Sequence, residues 1–231
     1  MIIGNGLLAS AFIPYFSENT GIIIFASGVS NSQETRQKEF LREKMLLLDA
    51  LRYEKFIIYF SSCSIYDHTL FNTSYVLHKK EMEILVCSAK NYVIFRLPQV
   101  VGKTSNPHVL TNYLYKQITL DNPFQVWCYA KRNLIDVDDV AIIAHFLYHN
   151  GTANKSVINI ANPFSITAMQ LVNIFESILE KKALFTLIES GNSYTIDASL
   201  SEQAAQQLGL KFDELYVENL IRKYYGSKET I

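Results

Sequence analysis

The sequence predicts an α/β fold, a shortened doubly wound parallel sheet with a small C-terminal α/β lobe. Three observations predict it. Gly21–Ala26, Lys55–Phe60 and Tyr92–Arg96 are continuous runs of β-branched and aromatic residues, the pattern of strands buried on both faces. Segments with apolar residues at helical spacing separate them. A glycine turn, Gly4-Asn5-Gly6, joins the first short apolar segment to the first of these helices. Buried strands alternating with helices close into a parallel sheet with helices on both faces.

Met1–Ile3 is a very short strand that runs straight into the glycine turn, and Leu7–Phe16 carries Leu7, Leu8, Ala11, Phe12 and Tyr15 at helical spacing. Gly21–Ala26 is the next strand. Gln33–Leu51 is a helix rich in Lys and Arg, with Phe40, Met45, Leu47, Leu48 and Leu51 apolar. Lys55–Phe60 is a strand, Tyr75–Ala89 a helix, and Tyr92–Arg96 a strand stopped by Pro98. Val109–Leu120 reads as a helix and Phe124–Cys128 as a short strand. Val137–Tyr148 is a helix capped by Asp136, Val157–Ile160 a strand, and Ile166–Leu179 a helix capped by Ser165. Two short helices around Gly209 fill Ser201 to Tyr225. After about Gly102 the segments shorten, which places a boundary between residues 1–105 and a mixed lobe over 106–231.

A chain of 231 residues that is 49% hydrophobic and 19% charged buries a sizeable core and is not disordered. Its 21 basic and 22 acidic residues give a net charge of -1, which argues for neither a nucleic-acid nor a membrane partner. No apolar run approaches the roughly 18 residues of a membrane span. The start of the sequence lacks the basic segment of a secretory signal. Cys63, Cys87 and Cys128 are an odd, scattered set without a C-x-x-C pair, and read as reduced thiols of a cytoplasmic protein with no metal site.

Three chemical signals follow. Gly4-Asn5-Gly6-Leu7-Leu8-Ala9 is a G-x-G-x-x-A turn between strand and helix. Gly4 permits the tight bend, Gly6 lets backbone approach a pyrophosphate, and the helix N-terminus offers N–H groups; a ligand-free glycine turn fits the same spacing. Ser61-Ser62-Cys63-Ser64 follows the strand Lys55–Phe60, where an open parallel sheet binds ligands, although serines also serve turns and caps. Tyr75 and Lys79 stand at i and i+4 on one helix face. An ammonium beside a phenol lowers its pKa from about 10 toward neutrality, so that it can exchange a proton with a sugar hydroxyl. Such pairs also decorate surfaces.

In this order, the signals resemble the extended short-chain dehydrogenase/reductase superfamily, and more closely its NAD(P)-dependent nucleotide-sugar epimerase/dehydratase branch, over nearly the whole chain. Phe25–Asn31 (FASGVSN) resembles the fourth-strand segment of that Rossmann-like fold, which implies Ala26, Ser27 and Gly28 along the cofactor. YFSSCSIYD resembles the Ser/Thr-x-x-Val-Tyr segment, with Ser62 as the catalytic hydroxyl. YVLHK matches Tyr-x-x-x-Lys and gives Tyr75 and Lys79. FRLPQVVGK resembles the following-strand segment and implies Pro98 beside the cofactor and Gln99 beside the substrate. RNLIDVDDVA resembles the segment whose arginine meets the nucleotide diphosphate, which implies that role for Arg132; a salt bridge to Asp136 or Asp138 is the alternative. Asp138 and Asp139 read as capping residues.

The resemblance implies NAD or NADP at Gly4, Asn5, Gly6, Leu7, Leu8 and Lys79, and a nucleotide-sugar substrate in surface-polysaccharide biosynthesis. It also implies a homodimer through helices 33–51 and 73–89. In 4,6-dehydratases an Asp-Glu pair follows the catalytic hydroxyl; Cys63 and Ser64 stand there instead, which disfavours dehydration and leaves Ser64 to the substrate. Cys63 and His108 resemble the Cys/His proton pair of GDP-fucose synthase, though Cys63 packing beneath the turn and His108 capping a helix are the preferred readings. The family carries around forty more residues between the first helix and FASG, holding two strands and the residue that grips the adenosine ribose. A second alignment takes GIIIFASG as the second strand, with Ser27 and Arg36 near a 2′-phosphate. A non-catalytic binding module of the same fold, and an NADP-dependent reductase of a non-sugar small molecule, are the other readings.

Overall fold

A computed structural model of the chain describes residues 1–16 and 18–226. The chain runs β1 (Ile2–Ile3), α1 (Leu7–Phe16), β2 (Ile22–Phe25), α2 (Gln37–Leu51), β3 (Phe56–Ser62), two 3-10 turns over Cys63–Tyr66 and His68–Leu70, and α3 (Ser74–Cys87). There follow β4 (Tyr92–Leu97), β5 (Gln99–Val101), α4 (Leu110–Thr119), β6 (Phe124–Trp127), β7 (Lys131–Arg132), β8 (Leu134–Asp136) and α5 (Val137–His149). The last elements are β9 (Ser156–Asn159), β10 (Ile166–Thr167), α6 (Ala168–Leu179), β11 (Phe185–Ile188), α7 (Ser199–Gln207) and α8 (Tyr216–Tyr225).

The central sheet is parallel throughout, in the order β1-β2-β3-β4-β9. Alternate strand residues build two cores. On one face Ile22, Ile24, Ile58, Phe60 and Phe95 pack against Phe12 and Phe16 of α1 and the inner side of α5. On the other, Ile23, Phe25, Ile57, Tyr59 and Ile94 pack against Leu47 and Ala50 of α2 and Met82 and Val86 of α3. Each wholly buried ring or branched side chain contributes about 2–3 kcal/mol through removal from water. Helices cover both faces, as the sequence predicts.

The topology has an unusual first step. From β1 to β4 every connection moves to the next strand in the same direction, yet α1 lies on the face opposite α2 and α3. The first crossover therefore has the opposite hand to the next two. Since parallel crossovers are right-handed almost without exception, β1–α1–β2 is the left-handed one. This is the mark of a missing edge: two strands between α1 and β2 would let α1 return on its own side. It also decides between the two alignments, because a second strand belongs on the outer side of β1, whereas β2 sits between β1 and β3.

A further core joins α4, β6, α6 and α8 through Leu114, Phe124, Phe175 and Leu220. The chain crosses between the cores more than once: β9, α5 and α7 all follow residue 105 and yet pack on the central sheet. Helix α8 is fastened to the start of α5. Tyr216 donates to Asp139 (2.6 Å), and Lys223 reaches Asp136 (2.7 Å) and Asp138 (2.8 Å). Asp136 caps α5 as expected, accepting from the Asp138 amide.

Two ends differ from the sequence reading. The cap of α6 is Thr167, in a reciprocal capping box with Gln170, and not Ser165; Ile166–Thr167 is diverted into a strand against Lys131–Arg132. Helix α2 starts at Gln37 and not Gln33, because Glu34 holds residues 34–36 in a turn by accepting from the Thr35 and Arg36 amides.

Candidate active site

The glycine turn stands at the carboxyl end of β1. Gly4 has φ +126°, and a Cβ there would lie 2.4 Å from the Ala26 carbonyl oxygen, so only glycine fits this crossing of β1 and β2. Around Gly6 nothing lies within 4 Å of a Cβ position, and Gly4, Asn5 and Gly6 are exposed. The first intrahelical bond of α1 runs from Ser10 N to Gly6 O (3.0 Å), which leaves the amides of Leu7, Leu8 and Ala9 without helical acceptors. Open backbone, a helix N-terminus and no side chain in the way fit a diphosphate. Past the turn Leu8 packs into the core, and Leu7 lies against Gly102, where a Cβ would come within 2.6 Å of it. The outer flank of β1, where an adenosine ribose would need a partner, carries no strand among the described residues.

Ser62 ends β3 and its hydroxyl accepts from the Ser64 amide (3.1 Å). Tyr75, in the first turn of α3, is buried beside Val29, Ile65 and Val76, and its hydroxyl has no hydrogen-bond partner among the described residues. Lys79 lies one turn on, with its Nζ 5.9 Å from the Tyr75 ring centre. The ammonium is not free, however. Lys79 is 3% exposed and donates to Glu43 Oε1 (3.0 Å) and to the Tyr59 hydroxyl (3.3 Å). The expectation of an ammonium devoted to the phenol and a cofactor is thereby corrected: a buried carboxylate neutralises it.

Glu43 is wholly buried and accepts from Val29 N (2.6 Å), Tyr59 Oη (2.7 Å), His78 Nε2 (3.0 Å) and Lys79. Burial pushes its carboxyl up, but Lys79, His78, the Val29 amide and Tyr59 outweigh that and hold it at about 2. Gly28 lies over the pair, since a Cβ there would meet Lys79 Nζ at 2.8 Å. Ser27, beside it, accepts from Arg42 through its hydroxyl (3.0 Å). Arg36 is taken up by Glu34 (2.6 Å).

Cys63 is corrected as a proton carrier. Its thiol is fully buried, and burial pushes it up to about 12, with Arg96 acting weakly against that. It packs beneath the turn and does not ionise near neutral pH. His108 is exposed in the loop before α4, with its amide on Asn106, and no hydrogen bond joins it to Cys63. Pro98 and Gln99 follow β4; the Gln99 side-chain oxygen is buried without a donor among the described residues. Ser64 is half-buried near Tyr194, whose phenol burial pushes up to about 12.

Arg132 is half-buried on β7, and burial lowers its pKa while Tyr194 and Asp67 act to raise it. No carboxylate lies within ion-pair distance among the described residues, and Asp136 and Asp138, the partners considered from the sequence, pair with Lys223. Nearby, Lys131, Asn133, Ser165 and Tyr194 help line a pocket of about 220 Å³, into which Ser62, Tyr75 and Lys79 do not project.

The model of the NAD dependent epimerase/dehydratase family matches residues 7–161. The chain belongs to this family. Solved structures of similar fold agree. A UDP-glucuronic acid 4-epimerase from Bacillus cereus, in complex with UDP-glucuronic acid and NAD, is 18% identical with a TM-score of 0.69, covering 95% of this chain and 87% of its own. RMD from Pseudomonas aeruginosa, complexed with NADPH, is 17% identical with a TM-score of 0.67, covering 95% and 84%. A dTDP-glucose 4,6-dehydratase from Bacillus anthracis, in complex with NAD, is 13% identical with a TM-score of 0.65, covering 96% and 79%. At these identities the likeness establishes the fold. No curated protein sequence matches the chain. The family is NAD-dependent, in line with the expected NAD or NADP, although its solved relatives divide between NAD and NADPH.

Within this family fold, sequence reasoning missed the buried charges. Glu43 shares the spacing of Phe40, Leu47 and Ala50, so helix periodicity alone places it inward. Glu83 similarly follows Tyr75, Lys79 and Met82 on the inner face of α3 and binds Arg96 in a fork at 2.9 and 2.6 Å. Asp67, which accepts from Asn192 (3.0 Å) across 125 residues, left no signal in the sequence.

Proposed function

We propose that the chain is an NAD(P)-dependent epimerase or reductase of a nucleotide-activated sugar, serving surface-polysaccharide biosynthesis. The observation that carries the reading is a coincidence of place. The glycine turn, the exit of β2, Ser62 and Tyr75 all gather at the carboxyl ends of adjacent parallel strands, where such sheets bind ligands. Gly4, Asn5, Gly6 and the first amides of α1 would hold the diphosphate of a dinucleotide, with Ala26, Ser27, Gly28 and Pro98 alongside. A nicotinamide bound there would supply the hydride acceptor or donor.

The Tyr75 hydroxyl has no hydrogen-bond partner among the described residues and, as the phenolate, would take the sugar hydroxyl proton, while Ser62 hydrogen-bonds the same oxygen. Arg132, desolvated and without a carboxylate partner among the described residues, meets the substrate's diphosphate. Gln99 and Ser64 border the sugar. Exchange of Tyr75→Phe is expected to lower turnover of a nucleotide sugar by at least about a hundredfold while leaving its binding by calorimetry intact. Equal turnover would end this assignment.

A second reading, a non-catalytic binding module, draws on the burial of Lys79 against Glu43 and on the lack of strands beyond β1 among the described residues. Saturable binding of NADH or NADPH separates the two. The outer faces of α2 and α3 favour a homodimer: Leu41, Met45, Leu77 and Ile84 are exposed there, flanking a Lys44–Glu81 bridge of 2.6 Å.

A further inference from the structure

The geometry points to Arg42 as a further ligand of the bound dinucleotide: held on Ser27, its guanidinium meets the diphosphate from the side of α2, across the glycine turn from the first amides of α1. The inference rests on the reading of the cleft as a dinucleotide site. A diphosphate is doubly anionic, and Gly4 to Ser10, the turn and the first residues of α1, hold no cationic side chain. The helix end itself supplies the equivalent of only about half a positive charge. A cation beside the turn would meet the rest.

β2 and β3 are parallel, so the helix between them runs back along the sheet, and its first turns stand at the carboxyl ends of the strands. Arg42 is in the second turn of α2. Its Nη1 donates to the Ser27 carbonyl oxygen (3.1 Å) and to the Ser27 hydroxyl (3.0 Å). Ser27 in turn abuts the glycine turn, with its amide nitrogen 3.2 Å from where a Gly4 Cβ would be. The guanidinium is thus one residue removed from the bend, on the face of the sheet opposite α1.

Arg36 and Arg96 are forked onto Glu34 and Glu83 at 2.6 to 2.9 Å. Arg42 has only a long contact from Nε to Glu39 (3.4 Å), its side chain is 42% exposed, and Nη2 has no partner among the described residues. The Ser27 hydroxyl spends a lone pair on Nη1 and keeps its own proton to donate. Arg42 and Ser27 together therefore offer a charged N–H and an O–H to one anion, the donor set that suits a phosphate. Arg42 stands on the β2 side of the turn, away from the open outer flank of β1, so it meets the diphosphate common to NADH and NADPH and not a 2′-phosphate.

The test titrates the whole chain with NADH and with NADPH by fluorescence, as wild type and as Arg42→Gln, at low and at high salt. The expected result at low salt is a Kd about tenfold higher in the variant for both dinucleotides, with the gap narrowing as salt rises. Equal Kd values overturn the assignment. A loss of the same size at every salt concentration also overturns it, since that marks a merely structural tie between α2 and the loop after β2, and so does a loss confined to NADPH. A measurement on wild type covers a variant that fails to fold. Saturating NADH is expected to shield Arg42 from phenylglyoxal in mass-spectrometric mapping, while Arg52, 81% exposed just past the other end of α2, reacts as before. Unchanged modification of Arg42 contradicts the contact. If wild type binds a dinucleotide and Arg42 proves indifferent, the arginine alone falls; if wild type binds neither, the arginine falls together with the cleft reading.

Discussion

Glu43 illustrates how far a single side chain can depart from its residue type. Its carboxyl is held at about 2 by four donors in spite of complete burial, while the unfolded chain would titrate it near the ordinary carboxylate value of about 4.3. As pH falls, the unfolded state therefore takes up this proton first, and the group's contribution to stability is complete above about 4.3 and lost on the way down to about 2. The difference is worth roughly 3 kcal/mol. Urea titrations between pH 5 and pH 2 are expected to show a steeper loss of stability in wild type than in Glu43→Gln; parallel curves would contradict the assignment. The adjacency of Tyr75 and Lys79 was legible from i,i+4 spacing, and so was the glycine bend. The partner of Lys79 was not read because Glu is ordinarily a surface residue, even though the spacing of 40, 43, 47 and 50 points it inward. Cys63 shows the reverse: its sequence neighbourhood suggested reactivity, and its burial cancels it.

At the scale of elements, long buried strands and amphipathic helices announce themselves. β3 and β4 follow continuous β-branched and aromatic runs, and α5 follows its Asp136 cap. The elements that escaped are β5, β7, β8, β10 and β11, of two to four residues each, too short to carry a period and formed only because a partner strand lies alongside. They are also the ones that shape the surroundings of Arg132 and Gln99, so much of the substrate side could not be drawn from pattern alone. Helices α2 and α3 keep an apolar outer face after their inner faces are spent on the sheet; Ile84 is 72% exposed and Leu41 58%. Ile84→Glu is expected to halve the mass measured by sedimentation equilibrium without changing the fold, whereas an already monomeric wild type would refute pairing through these helices.

For the whole molecule, strand order is the informative quantity. A dinucleotide fold ordinarily reverses direction beside its first strand, with one mononucleotide half on each side of the crevice. Here the order never reverses, and among the described residues the half that reads the adenosine ribose has no strands to stand on. NADH and NADPH are accordingly expected to bind with Kd values within about threefold of each other, since among the described residues no strand stands on that flank to carry a carboxylate or an arginine toward a 2′-phosphate. Titration with each in turn checks this, and a preference of more than about thirtyfold, roughly 2 kcal/mol, would show a discriminating contact. The parallel sheet was readable from its buried runs; the strand order and the reversed hand of the first crossover were not, because neither leaves a trace in hydropathy.

The two-residue strand that bears the glycine bend has, among the described residues, only one neighbouring strand to brace it. Fraying at this margin and loss of the phosphate cradle are thus one event, and a ligand seated there would act as a splint, tightening the weakest seam of the sheet at the moment it is grasped.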